Sequence, residues 1–189
     1  LLKTPGTKLS DRIVVSYPSL DTIAKDISVI GFSANFNQNE LAVSDLLLFA
    51  PSLGRKDIFR KNPNAVIRLN GNVEGHVNDL KFYNLSVAGL GSIQMRASGS
   101  IRGLPDVKRF YADLDIDQLS ITATDIRGLV GAGAIPTSIQ LPESMNLHGS
   151  FKGSLQNFST NTRLQSSFGA ATVNGTFKNL TVKGRESYN

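Results

Sequence analysis

Three aspartates at spacing two, Asp113, Asp115 and Asp117, and two histidines, His76 and His148, are the residues of this 189-residue chain whose types could do chemistry. Oxygen ligands gathered on one side of a strand would suit a calcium ion, which takes about six to eight of them. The trio alternates with Ala112, Leu114 and Ile116, and with no fourth ligand in view it reads as the wet side of one amphipathic strand, so no metal is expected. His76 and His148 likewise fall on the polar side of glycine-flanked segments. Cysteine is absent, which removes thiolate nucleophiles, disulfides and cysteine zinc sites. Residues 128–133 are glycine-rich but hold no lysine or hydroxyl that could cradle a phosphate. With no nucleophile elbow, Walker loop, dinucleotide fingerprint or zincin helix, the chain is expected to be no enzyme and to need no cofactor.

What the sequence does carry is period-two alternation, which sends successive side chains to opposite faces of a strand. Over 83–103 the odd positions are Tyr83, Leu85, Val87, Gly89, Gly91, Ile93, Met95, Ala97, Gly99, Ile101 and Gly103, and none is charged. The even positions are polar except Ala88 and Leu90, beside an expected turn at Gly89 to Gly91. Ile67, Leu69, Val73 and Val77 alternate in the same way with Arg68, Asn70, Asn72, Glu74 and His76, and Met145, Leu147, Phe151 and Leu155 with Asn146, His148, Ser150, Lys152 and Gln156. Nearer the N-terminus Ile30, Phe32, Ala34 and Phe36 run into Asn37-Gln38-Asn39-Glu40, after which Leu41, Val43, Leu46 and Leu48 return. That pattern predicts a hairpin with a polar turn. Further turns are expected at 62–64 and 104–106.

A weak repeat underlies the strands. Leu69-Asn70-Gly71-Asn72-Val73-Glu74-Gly75, Ala97-Ser98-Gly99-Ser100-Ile101-Arg102-Gly103, Leu147-His148-Gly149-Ser150-Phe151-Lys152-Gly153 and Val173-Asn174-Gly175-Thr176-Phe177-Lys178-Asn179 share one template. A glycine recurring on the dry face leaves room where the sheet bends or where another backbone comes close. An insertion interrupts the repeat at 124–144, where 125–130 could form a helical turn and 131–142 a loop; a second short helix is expected at 19–26.

The net charge of +5 comes from lysines and arginines scattered singly. They form no phosphate-binding stripe, so no nucleic-acid partner is expected; single basic residues also discourage edge-to-edge strand pairing. No stretch approaches the roughly 20 apolar residues of a membrane-spanning helix. The opening Leu1-Leu2-Lys3-Thr4-Pro5-Gly6 has no signal-peptide pattern, and the chain is expected to begin in mid-protein. No linker divides it, so 1–189 is read as a single segment.

The glycine units followed by Asn/Asp-Leu/Phe, the Phe32-Ser33-Ala34-Asn35-Phe36 and Ala42-Val43-Ser44-Asp45-Leu46-Leu47-Leu48 segments, and Ile135-Pro136-Thr137-Ser138-Ile139-Gln140-Leu141-Pro142 before Asn146-Leu147-His148-Gly149 together resemble the large AsmA-like proteins. The nearest likeness is to TamB-type translocation and assembly proteins in the forms seen in Bacteroidetes-like bacteria, and it extends over nearly the whole chain. The resemblance implies an all-β fold: an elongated, strongly curved sheet, or β-groove, with an apolar concave face and one or two short helical turns. It implies the periplasmic part of an envelope protein anchored in the inner membrane, which shields phospholipid acyl chains on their way to the outer membrane. Its partners would be those acyl chains, neighbouring β-groove segments of the same chain and a BamA-like outer-membrane barrel. The expected lining of the trough is Leu69, Val73, Leu85, Val87, Ile93, Met95, Ile101, Leu114, Ile116, Leu147, Phe151 and Phe177. A second function in keeping with the resemblance is outer-membrane protein assembly by strand pairing. Alternation alone is equally consistent with the closed core of a β-sandwich or structural solenoid.

Overall fold

The computed structural model describes residues 2–9, 12–17, 19, 27–49, 51–104, 106, 109–130, 140–154, 156–178 and 187–188. Among them, twelve strands join in one antiparallel sheet. They are β1 (Leu2–Lys3), β2 (Lys8–Leu9), β3 (Ile13–Ser16), β4 (Gly31–Ala42), β5 (Val66–His76), β6 (Asp79–Leu90), β7 (Ile93–Arg102), β8 (Tyr111–Thr122), β9 (Ser144–Ser154), β10 (Phe158–Ser166), β11 (Gly169–Lys178) and β12 (Ser187–Tyr188). Strand order follows chain order, except that β2 and β3 both pair with β4. Two-residue turns at 77–78, 91–92 and 167–168 explain why sequential strands are neighbours. The sheet is open: no second sheet packs against it among the described residues.

Helices α1 (Val43–Phe49), α2 (Asp57–Arg60) and α3 (Ala123–Val130), with 3-10 turns at Ile27–Val29 and Pro51–Arg55, give more helix than the one or two turns expected. The helix expected at 19–26 lies, but for Ser19, outside the described residues, as does most of the 131–142 loop. The hairpin expected across 30–48 does not form. Gln38 adopts φ 53° and the register slips between Phe36 and Asn39, so the polar quartet makes a bulge within the continuous strand β4. Val43-Ser44-Asp45 then opens α1 instead of a return strand.

Two packed clusters hold the fold. Val43, Ile58, Ile67 and Leu90 are buried together, with Leu41, Leu46, Leu47 and Phe59 around them; this is where α1 and α2 cover one end of the sheet. Phe82, Ala97 and Ile116 form the second cluster on the sheet itself. Burying a side chain such as Val43 contributes about 1.5–3 kcal/mol. Helix α3 meets α2 at Gly128, where an added Cβ would stand 3.1 Å from the Ile58 nitrogen.

The chain contains a duplicated unit. Phe36-Asn37-Gln38-Asn39-Glu40-Leu41-Ala42-Val43-Ser44-Asp45-Leu46 aligns without a gap on Ile116-Asp117-Gln118-Leu119-Ser120-Ile121-Thr122-Ala123-Thr124-Asp125-Ile126, identical at Gln38/Gln118 and Asp45/Asp125, similar at six further positions and different at Asn39/Leu119, Glu40/Ser120 and Ala42/Thr122. The bulge between Ile116 and Leu119 in β8 repeats the one in β4, and each strand runs directly into a helix. Gly71 and Gly75 of β5 correspond to Gly149 and Gly153 of β9, and β7 corresponds to β11. One unit is therefore a bulged strand, a helical cap and three further strands.

An aspartate latches each cap to the turn of the preceding hairpin. In α3 the Asp125 amide donates to Thr122 Oγ1 (3.2 Å) while Asp125 Oδ2 accepts from the Thr122 amide (3.1 Å), a capping box. The other oxygen, Oδ1, accepts from the Ser92 amide at 3.2 Å. In α1 the threonine is replaced by Ala42, and Asp45 Oδ2 accepts instead from the Thr4 and Thr7 hydroxyls of the β1–β2 turn, each at 2.5 Å. Thr4, then Thr7, holds the Asp45 carboxyl below the usual carboxylate range, against a smaller opposing effect of burial. A folded value lowered in this way stabilises the latch fully above the unfolded value and loses that contribution as pH falls through the folded one. Acidification is therefore expected to release the β1–β2 turn, seen as loss of the native Thr4 and Thr7 resonances. In Asp45→Asn those resonances should no longer respond to pH in that range; an unchanged acid response would reject the latch.

Candidate functional site

Residues directly opposite in an antiparallel pair share a face, so register alone sorts the side chains. Leu69, Val87, Met95, Leu119, Leu147, Leu164 and Ala171 stand opposite one another in succession from β5 to β11. A second row holds Val73, Phe82, Gly99, Leu114, Phe151, Thr160 and Gly175, and a third Gly75, Leu80, Ile101, Ala112, Gly153, Phe158 and Phe177. Between the first two run Leu85, Ala97, Ile116, Gly149, Thr162 and Val173. Ile93, opposite Leu90, ends the array under the helices. The twelve residues expected to line a trough all fall in these rows. Ile116 is buried, and the other eleven are half-buried.

Sequence alternation missed several members. Tyr83 belongs to the opposite side, where it faces Asn72 and is 49 % exposed. Asn84 adopts φ 49° and the register slips beside it, so Phe82 and Leu80 take positions in the rows. A second irregularity at Gly89 brings Leu90 into the buried cluster under the helices, and the bulge after Ile116 sets the half-buried Leu119 against the Phe82 cluster. The signal was available: Leu80 and Phe82 alternate with Lys81, one residue out of phase with Leu85 and Val87.

Glycines in the rows admit close strand contact. Gly99 sits at φ 144° and Gly149 at φ 136°, and a Cβ on either would run into the carbonyl oxygen of Asp113 or Asn161 on the adjacent strand. Aromatic residues stand opposite three row glycines, as Phe32–Gly75, Phe82–Gly99 and Phe158–Gly153, and Phe36 stands opposite Gly71. Phe158 also stacks with Phe151 and with Phe177, at 5.0 Å between ring centroids in both pairs.

The other side of the sheet is polar. Glu74, Lys81, Ser100, Asp113, Lys152, Ser159 and Thr176 form one row, bordering a cleft of about 450 Å³ lined in part by Tyr83, Asp115 and Ser150. Asp113 pairs with Lys152 at 2.7 Å and raises the lysine pKa, first by the hydrogen bond and then by charge; an exposed pair of this kind adds little stability. Asp115 faces Ser98 and Ser150. His148 Nδ1 lies 2.9 Å from the Asp117 carbonyl oxygen, and His76 stands opposite Gly31 and Asp79. No cluster of three metal-ligating side chains occurs among the described residues. No described helix is long and apolar enough to cross a membrane. The chain matches no protein-family model, no curated protein and no solved structure.

Proposed function

We propose that this chain is a length of lipid conduit, an AsmA-like segment that shields phospholipid acyl chains between the two membranes of a bacterial envelope. The observation that carries the reading is the set of rows crossing seven strands without a charged residue and, among the described residues, without a second sheet over them. Exposing an acyl chain to water costs about 0.8 kcal/mol per methylene, so two chains of ordinary length cost on the order of 20 kcal/mol unless an apolar surface accompanies them. Rows of Leu, Val, Ile, Met and Phe supply such a surface, and their lack of directional polar groups suits passage better than fixed binding. Thr160 and Thr162 interrupt the rows towards β11; the Thr160 hydroxyl is satisfied by the Ser150 carbonyl at 2.8 Å.

The test is phospholipid recovered with the gently isolated chain, measured by mass spectrometry. Phe151→Glu places a charge in the second row and should reduce recovered phospholipid severalfold. Asn161→Glu, on the polar side of β10, should leave it unchanged. Equal recovery from both variants, each shown to be folded, would end the conduit reading.

A further inference from the structure

Cations that are scattered in the sequence gather at the helical end of the sheet. Arg55, Lys56, Arg60 and Lys61 stand exposed in and around α2, and Arg127 stands exposed on α3. Gly128 of α3 packs against Ile58 of α2, so Arg127 joins the other four on one helical cap. The carboxylates among them are already engaged. Asp125 is buried in its latch, and Asp45 accepts from Thr4 and Thr7. Asp57 holds Arg60 at 2.6 Å and Lys61 at 3.8 Å. Glu143, whose backbone carbonyl accepts from the Ala123 amide, is a further exposed acid at the start of α3. Arg55, Lys56 and Arg127 make no ion pair among the described residues. At the other end of the strands charge is balanced: a cleft of about 500 Å³ sets Asp106 with Arg102 and Arg109, and Arg102 pairs with Asp79 at 3.4 Å.

The same cap carries apolar side chains that the core does not use. Leu46 and Leu47 pack against the buried cluster, and successive helical residues point about 100° apart. The third leucine of the run, Leu48, is therefore turned out and is 77 % exposed. Leu129 on α3 is 38 % exposed. We infer that this cap is a docking surface for an anionic phospholipid bilayer, with Leu48 and Leu129 entering the acyl boundary and the five cations lying against headgroup phosphates. Leucine set among lysine and arginine is what an interfacial helix presents to a membrane. Each cation near an anionic leaflet adds attraction, and salt screens it. The leucines favour a bilayer over a soluble polyanion, whose phosphates would satisfy the cations but leave the leucines in water. The inference stands on the cap alone and needs no lipid in the trough.

The experiment sediments the full chain with vesicles of phosphatidylcholine alone or of phosphatidylcholine mixed with phosphatidylglycerol. Binding is expected to be about tenfold or more tighter to the mixed vesicles, and to weaken as salt is raised. Lys56→Glu with Arg127→Glu should weaken it by about tenfold or more. Lys81→Glu with Arg163→Glu, an equal change of net charge at exposed positions on the strands, should leave it nearly unchanged. Leu48→Ser should weaken it severalfold, and Phe151→Glu, which tests the trough, should not affect it. Equal binding to both kinds of vesicle, or equal losses from the two charge reversals, would overturn the assignment. So would unchanged binding in Leu48→Ser, since a surface for any polyanion would behave in that way, and so would loss of binding in a folded Phe151→Glu, which would place the contact in the trough instead.

Discussion

Gly149→Ala should lower the stability of the sheet by about 3 kcal/mol or more, combining backbone strain with a side chain driven into a filled site. Gly149 lies in β9 at φ 136°, and its added Cβ would collide with the Asn161 carbonyl oxygen and approach the Thr162 Cα at 2.8 Å. Both obstacles are backbone of the adjoining strand, which cannot rotate aside as a side-chain tip would. Gly169→Ala separates the two costs: Gly169 has φ 128° but no atom within 4 Å of its would-be Cβ, so only the strain of about 1–3 kcal/mol applies. Gly54→Ala, with a single neighbour at 3.7 Å and no unusual φ, should change stability by less than about 0.5 kcal/mol. Urea midpoints at constant m-value give all three. Equal losses for Gly149 and Gly169 would show that strand proximity contributes nothing.

Asp125→Ala is expected to cost roughly 3–5 kcal/mol, since hydrogen bonds to a charged group and stranded donors both count. The side chain is 4 % exposed and accepts from the Thr122 amide, the Thr122 hydroxyl (2.6 Å) and the Ser92 amide. Removing it strands two backbone N–H groups and unties α3 from the β6–β7 turn, so Ser92 exchange should accelerate beyond the global change. Thr122→Ala removes only the box partner, about 1 kcal/mol. Combined with Asp125→Ala it should add somewhat less than its own effect, because the bond from the Thr122 hydroxyl to Asp125 Oδ2 is then already lost while the bond from the residue-125 amide to Thr122 Oγ1 remains. Ser92 exchange in Asp125→Ala no faster than the global change would sink the latch.

Strand content was legible in the sequence wherever one phase of alternation held, as in Ile93 to Ile101 and Met145 to Phe151. It was not legible where the backbone skipped a beat. Tyr83, Leu90 and Leu119 each follow or precede an irregular residue that costs one position, and sequence periodicity has no term for a bulge. The supposed hairpin at 37–40 failed for the same reason: four polar residues can turn a chain back, but here Gln38 alone absorbs the kink. Glycine was read more securely, because its recurrence at one station of a template has a steric cause that Gly99 and Gly149 display. Asp45 and Asp125 were overlooked as a pair. Their equivalence shows only when the bulged strand and the cap are aligned together, and the Ala42 and Thr122 difference disguises it.

The duplicated unit also sets a scale. Each unit adds four strands side by side, and at about 4.8 Å per strand it advances the sheet by roughly 19 Å. A protein assembled from such units lengthens in fixed increments, and its reach is counted in units as a ruler is counted in marks. Any gap such a sheet bridges would select an integer, and a bulged strand with its capping helix would mark each division.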